Sequence, residues 1–476
     1  MYKQLQLSKH RLAVHTKTFI AAGLFVWTLG TGGESSAQLN FSVSPTPVGS
    51  GARAAGMGDA FVAIADDATA ASWNPAGLVQ LERPEMSIVQ SYNRYSEEFN
   101  ADNPSFDPKF ESKHSSEVDG LNFVSYVHPV YMLGRNFSFS LSYQKRYDFG
   151  REFNTNFNTS GAILRLLNAD FEQSGSLSVI TPSVAVSLTD RLSIGVSTNF
   201  WRSSPFSEND WEINHDFKVK AFRNGTLLQE VRTIKKEEYD DFEGENYVFG
   251  LLWNVTQKWN LAVRYDTSFE GEADYDQNFF RDDTFAAAPV FIKISEKRKI
   301  RLPWTAAIGA AYRFNDRLTM SLDVSVSDWS KAYIKDGAGN KSSLIDGLSL
   351  DDPASTDIDR TMTVRLGAEY AFIPKEINEN LNSLWILRGG LFYDEEPATD
   401  RPPSGPDAFK PGRGNPDRFY GATLGVGTLV RQTWNFDIAY QVRWGDEVNT
   451  DFVRGVPGFD EDVVQHRVLL STVIYF

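Results

Sequence analysis

Residues 317–329 set Leu318, Met320, Leu322, Val324 and Val326 against Thr319, Ser321, Asp323, Ser325 and Ser327 in strict alternation. A two-residue period marks a strand with one apolar and one polar face, because successive side chains of a strand point opposite ways. The pattern recurs at 136–144, where Phe137, Phe139, Leu141 and Tyr143 alternate with Ser138, Ser140, Ser142 and Gln144. It recurs at 434–444, with Phe436, Ile438, Tyr440, Val442 and Trp444 against Asn435, Asp437, Ala439, Gln441 and Arg443. Alternation alone fits a water-soluble sandwich as well as a membrane barrel. The connections separate the two.

Fourteen strands are expected, at 85–93, 120–130, 136–147, 177–188, 192–201, 245–255, 258–269, 302–314, 317–329, 361–373, 384–394, 418–430, 434–444 and 463–476. One set of connections is short, at 133–135, 189–191, 256–257, 315–316, 374–383 and 431–433. The alternate set is long and polar, at 94–119, 148–176, 202–244, 270–301, 330–360, 395–417 and 445–462. Short turns at one rim, long loops at the other and an even strand number describe an outer-membrane barrel. The expected fold class is therefore all-β, a transmembrane antiparallel β-barrel of about 14 strands over residues 85–476.

Aromatic residues make up 13 % of the chain, yet its mean hydropathy is −0.34. That combination suits strands of which only every second residue meets lipid. Trp201, Trp253, Trp259, Trp304, Trp329, Trp385, Trp434 and Trp444 fall near strand ends, where an interfacial girdle belongs. Residues 1–37 read as a secretory signal, with Lys3, Lys9, Arg11 and Lys17 ahead of an apolar run at 19–29 and Ser35-Ser36-Ala37 at the cleavage site. That run is short of the ~20 residues a spanning helix needs, so a membrane role falls to strands. The last strand ends on Phe476, on one face with Val468, Leu470 and Ile474. A terminal aromatic facing lipid resembles the signal read by bacterial barrel-assembly machinery.

With no cysteine, and six histidines lacking ligand spacing, no disulfide, metal or cofactor is expected. A net charge of −15 argues against a nucleic-acid partner. No nucleophile elbow, paired acids or histidine-centred arrangement stands out, so the chain is not expected to be an enzyme. Among the long connections, Arg223-Asn224-Gly225-Thr226 signals a hairpin. Residues 162–171 have helical spacing and are expected to lie across the barrel mouth. The acidic runs 351–359 and 394–400 read as solvated faces, with calcium ligation as the other reading.

Before the first strand, residues 51–84 are rich in glycine and alanine, which lets backbone pack against backbone. Asp66 and Asp67 are placed to cap a short helix, and Trp73-Asn74-Pro75 to stop or restart it. Residues 49–54 superficially fit a dinucleotide loop, but Pro45 and Pro47 precede them and no strand–helix alternation follows. A compact plug spanning 38–84 is the expectation.

The run Ala63-Ile64-Ala65-Asp66-Asp67-Ala68, then Asn74-Pro75-Ala76, then Glu82-Arg83-Pro84 resembles the N-terminal hatch of the FadL family of outer-membrane channels. Thr181-Pro182-Ser183-Val184-Ala185, Leu302-Pro303, Asp328-Trp329-Ser330, Tyr393-Asp394-Glu395-Glu396-Pro397 and Pro416-Asp417-Arg418 extend the likeness along the chain. The resemblance implies a hatch inside a barrel embedded in outer-membrane lipid. It also implies passive uptake of long-chain fatty acids or aromatic hydrocarbons. PorV-like barrels of secretion systems share the hatch run, and they imply a scaffold for protein cargo instead.

Ala307, Gly309, Ala311, Gly421, Thr423, Gly425, Gly427, Leu469, Val473 and Tyr475 fall on inward faces, and an apolar lumen is expected from them. Arg264, Arg313, Arg365 and Arg443 also face inward and are candidates for an anionic head group. Salt bridging to Asp266, Asp323, Glu369 and Asp437 is their other reading. Leu39 and Phe41 of the mature N-terminus are expected to line or block the internal site, the alternative being a disordered tail.

Overall fold

The computed structural model describes residues 50–101, 110–159, 163–344, 358–374, 383–398, 400, 413–448 and 459–476. The signal sequence, Leu39 and Phe41, the acidic residues 351–357 and part of the expected plug lie outside them. The strands are β1 (Glu85–Ala101), β2 (Phe110–Met132), β3 (Arg135–Asp148), β4 (Arg151–Thr159), β5 (Leu164–Ser187), β6 (Leu192–Trp201) and β7 (Trp211–Arg223). There follow β8 (Thr226–Asn254), β9 (Trp259–Asp266), β10 (Phe269–Asp283), β11 (Val290–Leu302), β12 (Thr305–Arg313), β13 (Leu318–Ser327) and β14 (Tyr333–Lys335). The last are β15 (Lys341–Ser342), β16 (Thr361–Ala371), β17 (Ser383–Glu396), β18 (Asp417–Val430), β19 (Trp434–Val448) and β20 (Phe459–Tyr475).

Fourteen antiparallel strands close a barrel in the order β1-β2-β3-β5-β6-β8-β9-β12-β13-β16-β17-β18-β19-β20. Pairing of β20 with β1, from Glu85↔Tyr475 to Ala101↔Phe459, seals the ring. Closure leaves no unpaired strand edge in the hydrocarbon layer, where none is tolerated. Leu141, Ile308, Leu391 and Leu424 are exposed outward, while their neighbours Ser140, Ser142 and Ala307 are buried, so the alternation read from sequence sets the two faces. At the short-turn rim, Leu133 and Gly134 both take positive φ, which suits a tight β2–β3 hairpin.

The long connections are not polar loops. β4, β7, β10, β11, β14 and β15, with the first halves of β5 and β8, build a second sheet in the order β4-β5-β7-β8-β10-β11-β14-β15. β5 and β8 run from it directly into the barrel. Residues 162–171 contain no helix among the described residues: from Leu164 onward they are strand, with Phe171 opposite both Phe153 and His215. A short apolar run carries either period, and flanking strands decided this one. The hairpin at Asn224 and Gly225 is present, both with positive φ.

The inner face of this sheet holds an aromatic core. Trp211 stacks on Tyr239 at 4.5 Å and Phe153 on Phe171 at 4.9 Å. Trp201 and Trp329 belong to that core rather than to the girdle, being 2 % and 0 % exposed. They stand at the end of the barrel wall but on its inner face. Trp253, Trp259, Trp385, Trp434 and Trp444 are exposed outward, as a girdle requires.

His215 is buried in the same core, 3.8 Å from Glu237, which pairs with Lys235 at 2.9 Å. Burial holds its imidazole down at about 4 against an ordinary 6.5, with Glu237 opposing and Lys235 adding to the depression. The unfolded side chain takes up a proton below pH 6.5, whereas the folded one does so only near 4. Stability present above pH 6.5 is therefore lost as pH falls through that window, by up to about 3 kcal/mol. Trp211 fluorescence during denaturant titration at stepped pH should show this fall, and His215→Gln should flatten it. An unchanged pH profile in the variant would assign the effect elsewhere.

Candidate functional site

Residues 50–84 fill the ring of strands. Helix α1 (Ala52–Gly56) is followed by a tight turn, helix α2 (Ala70–Trp73) and a 3₁₀ segment (Pro75–Gln80). Such short helices hold only through tertiary contacts. Trp73 donates from Nε1 to Ser50 O at 2.7 Å and meets Phe61 edge-on at 5.9 Å. Asn74 is wholly buried; its Nδ2 donates to Val62 O (3.1 Å) and to Leu251 O of β8 (3.2 Å), and its Oδ1 accepts from Ala76 N (3.1 Å). Pro75 then opens the 3₁₀ segment, as the sequence implied. Asp67 accepts from Thr69 N at 2.8 Å and so braces the turn before α2, whereas Asp66 turns to Arg53 instead of a helix end.

The wall grips this segment from all sides. Ala52 N donates to Ser471 of β20, Gln441 of β19 donates to Ala55 O, Gly58 N donates to Thr423 of β18, and Val62 N donates to Asp323 of β13. Ser125 of β2 donates to Ala68 O at 2.7 Å. Inward glycines let the backbones meet. A Cβ at Gly367 would fall 2.8 Å from Met57 Cβ and overlap Met57 O, and one at Gly250 would fall 2.9 Å from Ala76 N. Ala307, Gly309, Thr423 and Gly425 likewise serve as seats for residues 50–84, not as lining for an apolar solute. This corrects the expected apolar lumen: small inward residues mark space already occupied by chain.

The interior arginines are mostly paired. Arg264 meets Asp266 at 2.6 and 2.8 Å. Arg365 meets Asp59 at 3.2 Å and Asp394 at 2.9 Å, and Arg443 meets Asp394 at 3.6 Å and also Glu396. Arg313 is exposed at the short-turn rim. The salt-bridge reading therefore holds for three of the four: Arg264 takes the expected Asp266, while Arg365 and Arg443 take acids other than those expected. Asp323 accepts from the backbone of residue 62, Glu369 holds Arg53 and Arg388, and Asp437 holds Arg388. Asp394 is buried in these pairs and is not a solvated acid. Sequence reasoning missed Arg53, Arg388 and Asp59. Alternation beside outward Trp385 and Leu387 was the available signal that Arg388 points inward.

Two cavities flank residues 59–66. The one toward the second sheet, about 60 Å³, is lined by Asp59, Arg365, Asp394, Arg443 and Arg467 among others. The one toward the short turns, about 570 Å³, is lined by Arg53, Ile64, Asp66, Arg313 and Glu369 among others.

The family model described as outer membrane protein transport protein (OMPP1/FadL/TodX) matches residues 50–460. The chain belongs to that family. It is an outer-membrane transport protein. In fold this FadL/TodX-family barrel is similar to a Pseudomonas aeruginosa FadL homologue, with TM-score 0.57, 15 % identity, and 90 % of this chain and 98 % of that one covered. It is similar to the CymD monoaromatic hydrocarbon channel at TM-score 0.52 and 14 % identity, covering 90 % and 98 %. It is also similar to the deltaS2 mutant of the TodX monoaromatic hydrocarbon channel at TM-score 0.53 and 12 % identity, covering 90 % and 99 %. Among curated proteins, none matches the sequence.

In this FadL/TodX-family barrel Asn74 is the centre of the hatch-like segment. Asn74→Ala removes the side-chain partner of the buried Val62 carbonyl and Ala76 amide, at about 1–3 kcal/mol each. Residues 50–84 should become protease-sensitive while heat-modifiable gel mobility, the mark of an intact barrel, stays unchanged. Protection equal to the unmodified protein would show that Asn74 is dispensable.

Proposed function

We propose that the protein is a passive outer-membrane channel for hydrophobic compounds, long-chain fatty acids or aromatic hydrocarbons, with residues 38–84 as its hatch and no catalytic role. Membership of the transport family carries the reading, and a barrel with a cavity on either side of an inserted segment supports it. Such an interior suits controlled passage of single solutes better than the open aqueous lumen of a porin. The outer membrane offers no nucleotide supply, so passage runs down a gradient. Leu39 and Phe41, at the start of the hatch, are proposed to reach the internal site. Cells expressing the protein should take up labelled dodecanoate or toluene faster than empty-vector cells. Uptake equal to the empty vector, with a protein partner co-purifying in stoichiometric amount, would favour the PorV-like scaffold.

A further inference from the structure

The last strands of the second sheet carry a row of like charge. Lys299 of β11 is directly opposite Lys335 of β14, and Lys335 is directly opposite Lys341 of β15. Opposed residues of an antiparallel pair share a face, so the ammonium groups stand side by side and repel one another. Ile334, between Tyr333 and Lys335, is buried in the aromatic core, which turns both neighbours, and with them the row, to the outer face. Lys299 has an acid, Glu270 at 3.4 Å, and Glu270 also accepts from the Tyr333 hydroxyl at 2.7 Å. Lys335 and Lys341 have no carboxylate within ion-pair distance among the described residues; the Lys341 ammonium lies over the Tyr333 ring, 4.1 Å from its centre. The chain carries 62 acids against 47 lysines and arginines, so a cationic row left without acids stands out.

A cavity of about 410 Å³ opens beside the row. Arg301, Ser330, Lys331, Tyr333, Lys341 and Ser342 line it with others, and no carboxylate does so among the described residues. Arg301 is opposite Tyr333 and shares the face of the row. Lys331 comes from a 3₁₀ turn (Trp329–Lys331) and also lacks an acid partner among the described residues. Cations and hydroxyls around an acid-free hollow suit an anion with several oxygens, and a phosphate is one. The volume exceeds that of a bare phosphate and leaves room for the sugar that carries it.

Depth points to the source. Wall strand β9 ends at Asp266 and β12 begins at Thr305, both at the rim away from the short turns. Exposed Tyr265 stands there 6.2 Å from Trp304, and such an aromatic belt marks the level of lipid head groups. Arg301 precedes Trp304 by only three residues, so the cavity begins at that level. We propose that this corner binds the phosphorylated head group of an outer-leaflet glycolipid, with Arg301, Lys331 and Lys341 around the phosphate and Lys335 extending the cationic row. The bound phosphate supplies the negative charge that the row lacks. It also ties β14 and β15, the short last strands of the second sheet, to the membrane surface. The site lies outside the ring of strands and does not depend on which solute the channel passes.

The test uses the full mature protein in dodecyl maltoside, with native mass spectrometry of bound bis-phosphorylated lipid A and of lipid A stripped of its phosphates. The unmodified protein should hold lipid A about tenfold more tightly than the stripped lipid. Lys331→Gln combined with Lys341→Gln should abolish that preference with binding of the stripped lipid unchanged, and the corresponding pair of arginine substitutions should keep it. Lys218→Gln combined with Lys220→Gln, which removes half-exposed cations of β7 away from this corner, should leave it intact. Equal binding of the two lipids by the unmodified protein, or a preference that survives in the Lys331/Lys341 glutamine variant, overturns the site. Loss of the preference in the Lys218/Lys220 variant shows diffuse surface charge and overturns it too. Displacement of lipid A by micromolar inorganic phosphate assigns the cavity to the free anion and overturns the lipid. Unchanged binding of the stripped lipid separates loss of the site from misfolding, and every one of these outcomes leaves the channel reading as it stands.

Discussion

Gly367→Val is expected to open the barrel. Gly367 lies on the inner face of β16, where its missing side chain leaves room for the backbone and Cβ of Met57. The obstructing atoms there are the main chain and Cβ of Met57, so no rotamer change relieves the overlap. Forcing a β-branched side chain into that gap costs about 1–3 kcal/mol in overpacking. The neighbouring bond of Gly58 N to Thr423 is lost if α1 shifts, leaving a buried donor at about 1–3 kcal/mol. Together that is roughly 4 kcal/mol, or about a thousandfold in the ratio of seated to displaced hatch. Valine suits a strand, so the barrel itself should fold. The expected readouts are stepwise conductance in planar bilayers and sensitivity of cells to a large polar antibiotic. Gly389→Val is the control, because a Cβ there meets nothing nearer than Thr423 O at 3.8 Å. If Gly367→Val remains as closed as Gly389→Val, the hatch is not seated by these glycines.

The strands of the barrel were legible because each shows lipid one face and the interior another, and a two-residue period survives any choice of inner residue. The second sheet was not legible for a matching reason. Its outer face carries ion pairs such as Lys236 with Glu212 and Arg232 with Asp216, while its inner face mixes Trp211 and Phe171 with His215, Lys235 and Glu237. With charge on both sides the alternation fades, and the stretches resemble polar loops. Within the candidate site, the small residues announced a close-packed plug, and Asn74 and Pro75 acted where the motif placed them. Ion-pair partners stayed hidden because they join residues far apart in the chain, Arg53 with Glu369 or Arg365 with Asp59, and depend on register around the whole ring. Inward arginines and inward acids can be counted from sequence. Which meets which cannot.

Arg388 is the pair whose loss should cost most. Its side chain is 1 % exposed and divides itself between Glu369 and Asp437, each at 2.6 Å. Glu369 retains Arg53 when Arg388 is removed, but Asp437 keeps only the amide of Asn435, at 2.7 Å, among the described residues. Arg388→Met fills much the same volume and strands the Asp437 carboxylate in a site closed to water. Breaking a buried pair from one side costs about 3–5 kcal/mol, most of it the price of the orphaned charge. Urea unfolding of the purified barrel, followed by heat-modifiable mobility, should record a loss of that size. Because Glu369 also holds Arg53, protease protection of residues 50–84 should weaken in parallel. Removing the orphan tests the cause: Arg388→Met combined with Asp437→Asn should recover a large part of the loss, since an amide there needs no cation. If the double variant is no more stable than the single one, packing of the arginine stem, and not its charge, holds this part of the wall.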